Sequence, residues 1–407
     1  MKKIALHWQI LIALIIAVLY GLFLTEYVSY VTWMGTLFLN ALKMVIVPLI
    51  LSSIISGVTN IGNAENLGRL GLKTMGYYLT TSLFAIVTGL LLVNLLQPGI
   101  GADLGFSKEV EGLAVAKDSF GQTLINIIPT NIFNSFANGE MLSIIFFAIL
   151  FGFFITRVED KYQTFLTDFF NAVFEVMMKI TLLIIKFTPL GILGIVAGVV
   201  AEQAGDAEAL LDIGGRMGVY MIAVLGALII HSMLTLPLML KLIGGINPFL
   251  HFKSMTTPLL TAFSTSSSNA TLPLTMEAVE FNSGVSNKIT SFTLPLGATI
   301  NMDGTALYEC VAAIFIAQAY GVELSLAQQV IVVITALLAS IGAAGIPMAG
   351  LVMITIILSA VGLPLEGVGL ILAVDRILDM CRTTVNVWSD SCGAAIIAKT
   401  EGETLKV

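Results

Sequence analysis

Charge is what this sequence has least of: Asp, Glu, Lys and Arg make up 11% of its 407 residues, against about 25% in a soluble domain. With 57% hydrophobic residues and a mean hydropathy of +0.97, the composition excludes a soluble enzyme, a nucleic-acid binder and a disordered protein. Cysteine is nearly as scarce. Cys310, Cys381 and Cys392 lie in apolar, Gly- and Ala-rich stretches with no CxxC pair and no His at ligand spacing, which excludes a disulfide framework and a zinc site. The net charge of −7 is spread over loops and a few apolar segments, so it points to no charged partner.

What is abundant is long apolar sequence. A bilayer core of about 30 Å takes roughly 20 apolar residues per helix, and the candidate spans have cores near Ile4–Leu24, Leu37–Ile61, Tyr77–Leu96, Met141–Ile155, Phe170–Val200, Met217–Leu240, Ile289–Ala319 and Leu370–Ala398. The first opens with Met1-Lys2-Lys3 and carries no cleavage-site pattern, so it is expected to be a retained helix and not a signal peptide. Arg69 and Lys73, Arg157 and Lys161, and Lys241 and Lys253 fall on one side of this arrangement, whereas Thr25–Thr36, Glu202–Leu211 and Tyr320–Leu326 contain no Lys or Arg. The positive-inside rule then places both termini in the cytoplasm.

Two further stretches do not read as simple spans. Ala327–Leu365 has no charge but is broken by Ser340-Ile-Gly-Ala-Ala-Gly-Ile-Pro-Met-Ala-Gly350, and Pro248–Glu280 is broken by Ser264-Thr-Ser-Ser-Ser-Asn-Ala-Thr-Leu-Pro273. Each half is too short to cross, which predicts a re-entrant helical hairpin in each case. Their tips, Ala270-Thr-Leu-Pro273 and Ala344-Gly-Ile-Pro347, share the pattern Ala-x-(Leu/Ile)-Pro, and by the loop charges they enter from opposite faces. The expected fold is therefore an all-α polytopic membrane protein with eight transmembrane helices, two oppositely oriented re-entrant hairpins and inverted repeats. In that architecture the substrate site lies near mid-membrane between broken helices.

In the last span Asp375, Asp379, Arg382, Asn386 and Asp390 recur at helical spacing and form one polar stripe. An ionised group at mid-bilayer costs about 2.5 to 3.5 kcal/mol or more, so such a stripe calls for a function. Asp379 suits an ammonium group, Arg382 binds a carboxylate in bidentate fashion, and Asn386 can donate to a second carboxylate. Aspartate and glutamate are the simplest molecules that satisfy all three. An internal salt-bridge ladder is the alternative reading. In the preceding span, Pro295 and Gly297 weaken the helix before Asn301-Met-Asp-Gly-Thr305, and carbonyls freed there, with Asp303 and Asp390, would suit a small cation. Tyr78, Thr81 and Ser82 offer further oxygens, or are polar packing between helices. Glu309 is either a proton carrier or a neutral, hydrogen-bonded carboxyl. His231 and Trp388 read as packing residues.

The segments Ser-Ser-Ser-Asn-Ala-Thr-Leu-Pro, Asn-Met-Asp-Gly-Thr, Gly-Ala-Ala-Gly-Ile-Pro-Met-Ala-Gly and Asp379-Met-Cys-Arg-Thr-Thr-Val-Asn386, taken in order, resemble the glutamate transporter family of dicarboxylate/amino acid:cation symporters. The resemblance covers nearly the whole chain. It implies a homotrimer with a fixed scaffold, residues 1–69 and 98–213, and a transport domain that slides like an elevator, residues 70–97 and 214–407, with hairpins at 247–283 and 326–365. It implies substrate contacts from Ser268, Thr305, Ile346, Gly350, Asp379, Arg382, Thr383 and Asn386. Sodium ions, the implied coupling ions, would be held by Tyr78, Thr81, Ser82, Asn301 and Asp303; by Gly297, Asn301, Asn386 and Asp390; and by Thr299, Met302, Ser340 and Ala343. Glu309 matches the proton-carrying glutamate of the animal carriers. Ser266 and Met380 stand where some members carry arginine, with Arg376 one turn before Met380. Trp388-Ser389 replaces the small residue and glycine usual before the final aspartate.

The functional expectation is sodium-driven, possibly proton-assisted uptake of aspartate or glutamate across a bacterial-type inner membrane, with membrane lipids as surroundings and no organic cofactor, enzymatic activity or nucleic-acid partner. A C4-dicarboxylate or neutral amino acid symporter of the same family is the alternative, and an anion channel is the alternative from another class.

Overall fold

The computed structural model describes residues 6–64, 69–101, 125, 127–202, 204, 207–342 and 349–407, which are helical except for short connections. In chain order the helices are α1 (Leu6–Phe23), α2 (Ser29–Ala64), α3 (Arg69–Leu96), α4 (Ile132–Asn138), α5 (Met141–Ile155), α6 (Asp160–Ile185), α7 (Thr188–Glu202), α8 (Ala207–Ile230) and α9 (Leu236–Gly244). They continue as α10 (Pro248–Ser254), α11 (Thr256–Thr265), α12 (Ser268–Glu277), α13 (Asn287–Ile300), α14 (Asp303–Ala319), α15 (Leu326–Gly342), α16 (Ala349–Ala360) and α17 (Val368–Thr400). Among the described residues each expected apolar core falls mainly on helix, with breaks inside Phe170–Val200 and Ile289–Ala319.

By length and composition, Ser29–Thr59, Arg69–Leu96, Leu211–Gly244 and Asn287–Ala319 are able to cross a membrane. The expected single span Phe170–Val200 is instead the pair α6 and α7, bent by 52°, because Pro189 opens α7 and cannot continue the hydrogen-bond ladder of the helix before it. α17 has 33 residues but is not among these spans, and Asp375, Arg376, Asp379, Arg382 and Asp390 occupy its middle.

Three local irregularities position the polar residues. Between α8 and α9 the helix passes through a π-turn, His231–Thr235, immediately before Pro237, whose missing N–H breaks the regular ladder. α13, which contains Pro295, stops at Asn301, and α14 starts two residues later with Asp303 in its first turn. α11 and α12 turn back on each other at Ser266, which takes φ of +51°, and Ser267 caps α12 by accepting from the Ala270 N–H at 3.2 Å. α15 and α16 also pack together, on either side of residues 343–348. The expected site residues Ala343 and Ile346 lie there, outside the described residues.

The apolar core falls into two clusters. One gathers Leu49, Ile86, Tyr220, Leu307 and Ile354, and the other Tyr78, Leu236, Leu259, Leu294 and Trp388. α17 runs from one to the other, with Val385 in the first and Val387 in the second; Ile300 and Met302 straddle the same seam on the chain break opposite. The polar stripe and the broken helix therefore meet where neither apolar cluster is continuous.

The carboxyl-terminal segment ties the second cluster together from outside. Glu401 pairs with Arg69 at 2.8 Å and Lys73 at 2.7 Å, Glu403 accepts from the Ser286 N–H at 2.9 Å, and the Lys406 N–H donates to the Ser283 carbonyl at 2.9 Å. Hydrogen bonds from Arg69 and Lys73 hold the Glu401 carboxyl at about 2, below its ordinary 4.5. A carboxylate with a depressed folded-state value stabilises the fold above its ordinary value, and that contribution fades as pH falls. Glu401→Gln should therefore lower the thermal midpoint at neutral pH, and the gap to wild type should close between pH 4.5 and about 2. A gap that does not change with pH in a midpoint-against-pH series would show that the ion pairs are not its source.

Candidate functional site

The break after α13 and the middle of α17 bring most of the expected cation residues together. Asn301 (φ −91°, ψ 78°) and Met302 (φ −108°, ψ 58°) leave the helical region, so the ladder is interrupted there. Asn301 Nδ2 donates to Asp390 Oδ1 at 2.9 Å and to Ser389 Oγ at 3.1 Å, and its Oδ1 accepts from Thr81 Oγ1 at 3.3 Å. Ser82 Oγ donates to Asp303 Oδ1 at 2.6 Å, and Tyr78 Oη donates to the Thr293 carbonyl at 2.6 Å. A methyl group on Gly297 would lie 2.5 Å from Asp390 Oδ1 and 2.8 Å from Tyr78 Oη, so this backbone position is left open to the two oxygens.

Tyr78, Thr81, Ser82, Gly297, Asn301, Asp303 and Asp390 thus converge from α3, α13, α14 and α17, and all are buried. Their donors are oxygens, which suit a hard alkali cation better than a soft metal. Among the described residues no three His, Cys, Asp or Glu side chains gather as a metal-binding group. Of the third expected set, Ala343 lies outside the described residues, and Thr299 Oγ1 donates to the Leu296 carbonyl at 3.0 Å and Ser340 Oγ to the Leu337 carbonyl at 2.9 Å, each within its own helix.

One turn away on α17, Asn386 links this cluster to the next. Its Oδ1 accepts from the Gly304 N–H at 2.7 Å and its Nδ2 donates to Thr305 Oγ1 at 3.0 Å. Arg382, 1% exposed, donates through Nε to Asp379 Oδ1 at 3.0 Å and through Nη1 to Asp375 Oδ1 at 3.0 Å. Tyr308 donates to the same Asp375 oxygen at 2.6 Å, and its ring lies 4.2 Å from the guanidinium carbon. Part of the salt-bridge ladder is therefore real: within the stripe Asp375, Asp379 and Arg382 form it, with Arg376 beside Asp379. Asn386 and Asp390 turn to the broken helix instead. Gly350, at the start of α16, lies against Arg382: a Cβ there would stand 2.9 Å from its Nη1. Ser268 and Thr383 are buried on the neighbouring α12 and on α17.

Glu309 is fully buried on α14 and neither carboxyl oxygen has a hydrogen-bond partner among the described residues, which departs from the hydrogen-bonded alternative. His231 corrects the sequence reading. Its Nε2 donates to Asp303 Oδ2 at 3.1 Å and belongs to the cation cluster, and its signal was present as an ionisable residue inside an apolar span. Tyr308 and Ser389 also join these networks, although no local sequence pattern assigns either to a site. Trp388 does pack: its Nε1 donates to the Ser232 carbonyl at 3.1 Å and its ring lies 5.3 Å from that of His251. Arg376 is partly exposed, with Nη1 3.5 Å from Asp379 Oδ2.

Gly297→Ala should cost about 1 to 3 kcal/mol as an overpacking change, because Asp390 or Tyr78 must move. Gly76→Ala, where a Cβ meets nothing within 4 Å, should cost nothing. Equal thermal midpoints for the two variants would count against the tight Gly297–Asp390–Tyr78 arrangement.

Comparison with known proteins covers nearly the full chain. Residues 6–400 match the sodium:dicarboxylate symporter family. A proton/sodium-glutamate symport protein of Geobacillus stearothermophilus is 37% identical over 99% of this chain and 96% of its own length. The proton/glutamate-aspartate symporter of Escherichia coli K12 is 34% identical over 98% of this chain and 93% of its own. Human excitatory amino acid transporter 3 is 39% identical over 93% and 80%. Apolar helices and this match together make the protein an integral membrane protein, and the chain belongs to the sodium:dicarboxylate symporter family.

Proposed function

We propose that this protein takes up acidic amino acids, aspartate or glutamate, by cation symport, with sodium as the main coupling ion. The observation that carries the reading is the continuity of α17: Arg382 beside Asp379, then Asn386 on Gly304 and Thr305, then Asp390 on Asn301, at successive turns of one buried helix. Arg382 is the partner for the substrate's side-chain carboxylate, Asp379 for its ammonium, and Asn386 with Ser268, Thr305 and Thr383 for the remaining polar groups. Ile346 and Gly350 supply the tip that closes over it. Sodium would be held by Tyr78, Thr81, Ser82, Asn301 and Asp303, by Gly297, Asn301, Asn386 and Asp390, and by Thr299, Met302, Ser340 and Ala343. Its charge would offset the buried carboxylates.

The proposed architecture has eight spans and two opposed hairpins, with scaffold 1–69 and 98–213 and transport domain 70–97 and 214–407 in a homotrimer of the bacterial-type inner membrane, termini cytoplasmic, working as an elevator. A proton travelling on Glu309 is a second coupling route. The unpartnered, buried carboxyl of Glu309 favours it, since such a group is stable in the membrane only when neutral, and the names of the bacterial relatives include proton coupling.

Arg382→Cys should weaken aspartate and glutamate by roughly 10- to 100-fold, as expected for a charged hydrogen bond of about 1.5 to 3 kcal/mol, while sparing neutral amino acids. Uptake of radiolabelled aspartate, serine and succinate into proteoliposomes measures this. Aspartate affinity within a few fold of wild type would remove Arg382 from the substrate site.

Because Asn301 and Asn386 stand between the cation oxygens and Arg382, substrate and sodium should bind with strong mutual coupling, and linkage makes that coupling reciprocal. Calorimetric titration of aspartate over a range of sodium concentrations, with choline holding ionic strength, should show affinity rising with sodium. Affinity that ignores sodium would leave Glu309-linked proton symport as the surviving mechanism.

A further inference from the structure

The two oxygens of Asp303 have different surroundings. Oδ1 accepts from Ser82 at 2.6 Å, a residue already expected at the cation site. Oδ2 accepts from Ser389 Oγ at 2.5 Å and from His231 Nε2 at 3.1 Å. Ser389 Oγ also accepts from Asn301 Nδ2 at 3.1 Å, and that nitrogen donates to Asp390 Oδ1 at 2.9 Å. The Ser389 hydroxyl therefore touches both the acidic centre of one expected cation cluster and the amide shared with the other. We propose that the Ser389 hydroxyl is itself a sodium ligand at the Asp303 site, an oxygen that the expected ligand sets leave out.

A serine hydroxyl has one proton and two lone pairs. In the structure the proton goes to Asp303 and one lone pair to Asn301, and the second lone pair is the one available to a cation. Ligation requires the proton to turn away from Asp303, and a helical serine has an acceptor in reach for it, the carbonyl four residues back, here that of Val385. The backbone at Ser389 is already held from outside its helix, because Tyr77 Oη donates to the Ser389 carbonyl at 3.1 Å. Its neighbour Trp388 is turned to Ser232 and His251 and does not crowd it. Ser389 is fully buried, so no bulk water competes for the position. Serine in place of the usual glycine thus adds an oxygen where Asp303 and Asn301 meet and leaves the Arg382 cluster untouched.

This inference rests on the cation-symport reading, and the test separates the two. Purified wild type, Ser389→Ala, Ser389→Gly and the control Ser391→Ala, whose hydroxyl donates to the Trp388 carbonyl at 2.8 Å, are titrated with sodium chloride against choline chloride without substrate. Radioactive sodium binding and the thermal midpoint are both followed. If Ser389 is a ligand, both of its variants need about tenfold more sodium for half-saturation, the size of shift expected for losing one bond to a charged group. Aspartate affinity at saturating sodium stays near wild type, and Ser391→Ala behaves as wild type. A hydroxyl that only neutralises Asp303 would instead lower the midpoint in choline by a fixed amount and leave sodium half-saturation unchanged or tighter, because a competing proton donor is gone. That result overturns the assignment. Should Ser389→Gly fold poorly, Ser389→Ala decides by the same reading. A wild type that neither binds sodium nor is stabilised by it overturns the sodium-coupling reading together with this one.

Discussion

The arrangement depends on a carboxylate that has no water to turn to. Asp303 and Asp390 sit at the junction of two apolar clusters, each nearly inaccessible, and a buried carboxylate is tolerable only when hydrogen-bonded or paired with a cation. Every irregular feature nearby answers that need. The break at Asn301 places an amide between the two acids, the π-turn at His231 aims an imidazole N–H at Asp303, and α3 brings Ser82 to its other oxygen. These donors satisfy carboxyl oxygens that burial cuts off from water.

Arg382 is managed differently. It has charged partners on its own helix, Asp375 and Asp379, and the face of Tyr308 above it. Arg376 adds a second cation on the outer side of Asp379, at 3.5 Å, and the Arg382 guanidinium retains donors for a carboxylate. The same three residues read as a structural ladder if taken alone. Their position beside Gly350, in contact range of the hairpin that would close over them, favours a binding role. Asn386 separates the two regimes and communicates between them through Gly304 and Thr305.

How much was legible beforehand varied with the kind of signal. The apolar helices and the break near Asn301 could be read, because length, hydropathy and the loss of helix propensity at Gly and Pro act locally. The stripe on α17 could be read because helical spacing is local too. The bend between α6 and α7 was missed, since a continuous apolar run conceals a change of direction. His231 was passed over as packing because its partner lies 72 residues away in sequence. Ser389 stands out in the sequence only as a replacement for the usual glycine, whereas its hydroxyl faces Asp303 and not Arg382.

By itself the sequence determined that the chain is a helical membrane protein, which helices carry charge, and which residue types are available to meet a zwitterion and a small cation. Hydrophobic periodicity and the cost of burying charge are properties of composition and spacing, so they survive without a fold. The tertiary structure alone decided which oxygen meets which. That α3, α13, α14 and α17 converge on Asn301, that the stripe divides between Arg382 and Asp390, and that His231 and Ser389 share one oxygen of Asp303 all depend on contacts between segments far apart in the chain, which no local pattern encodes.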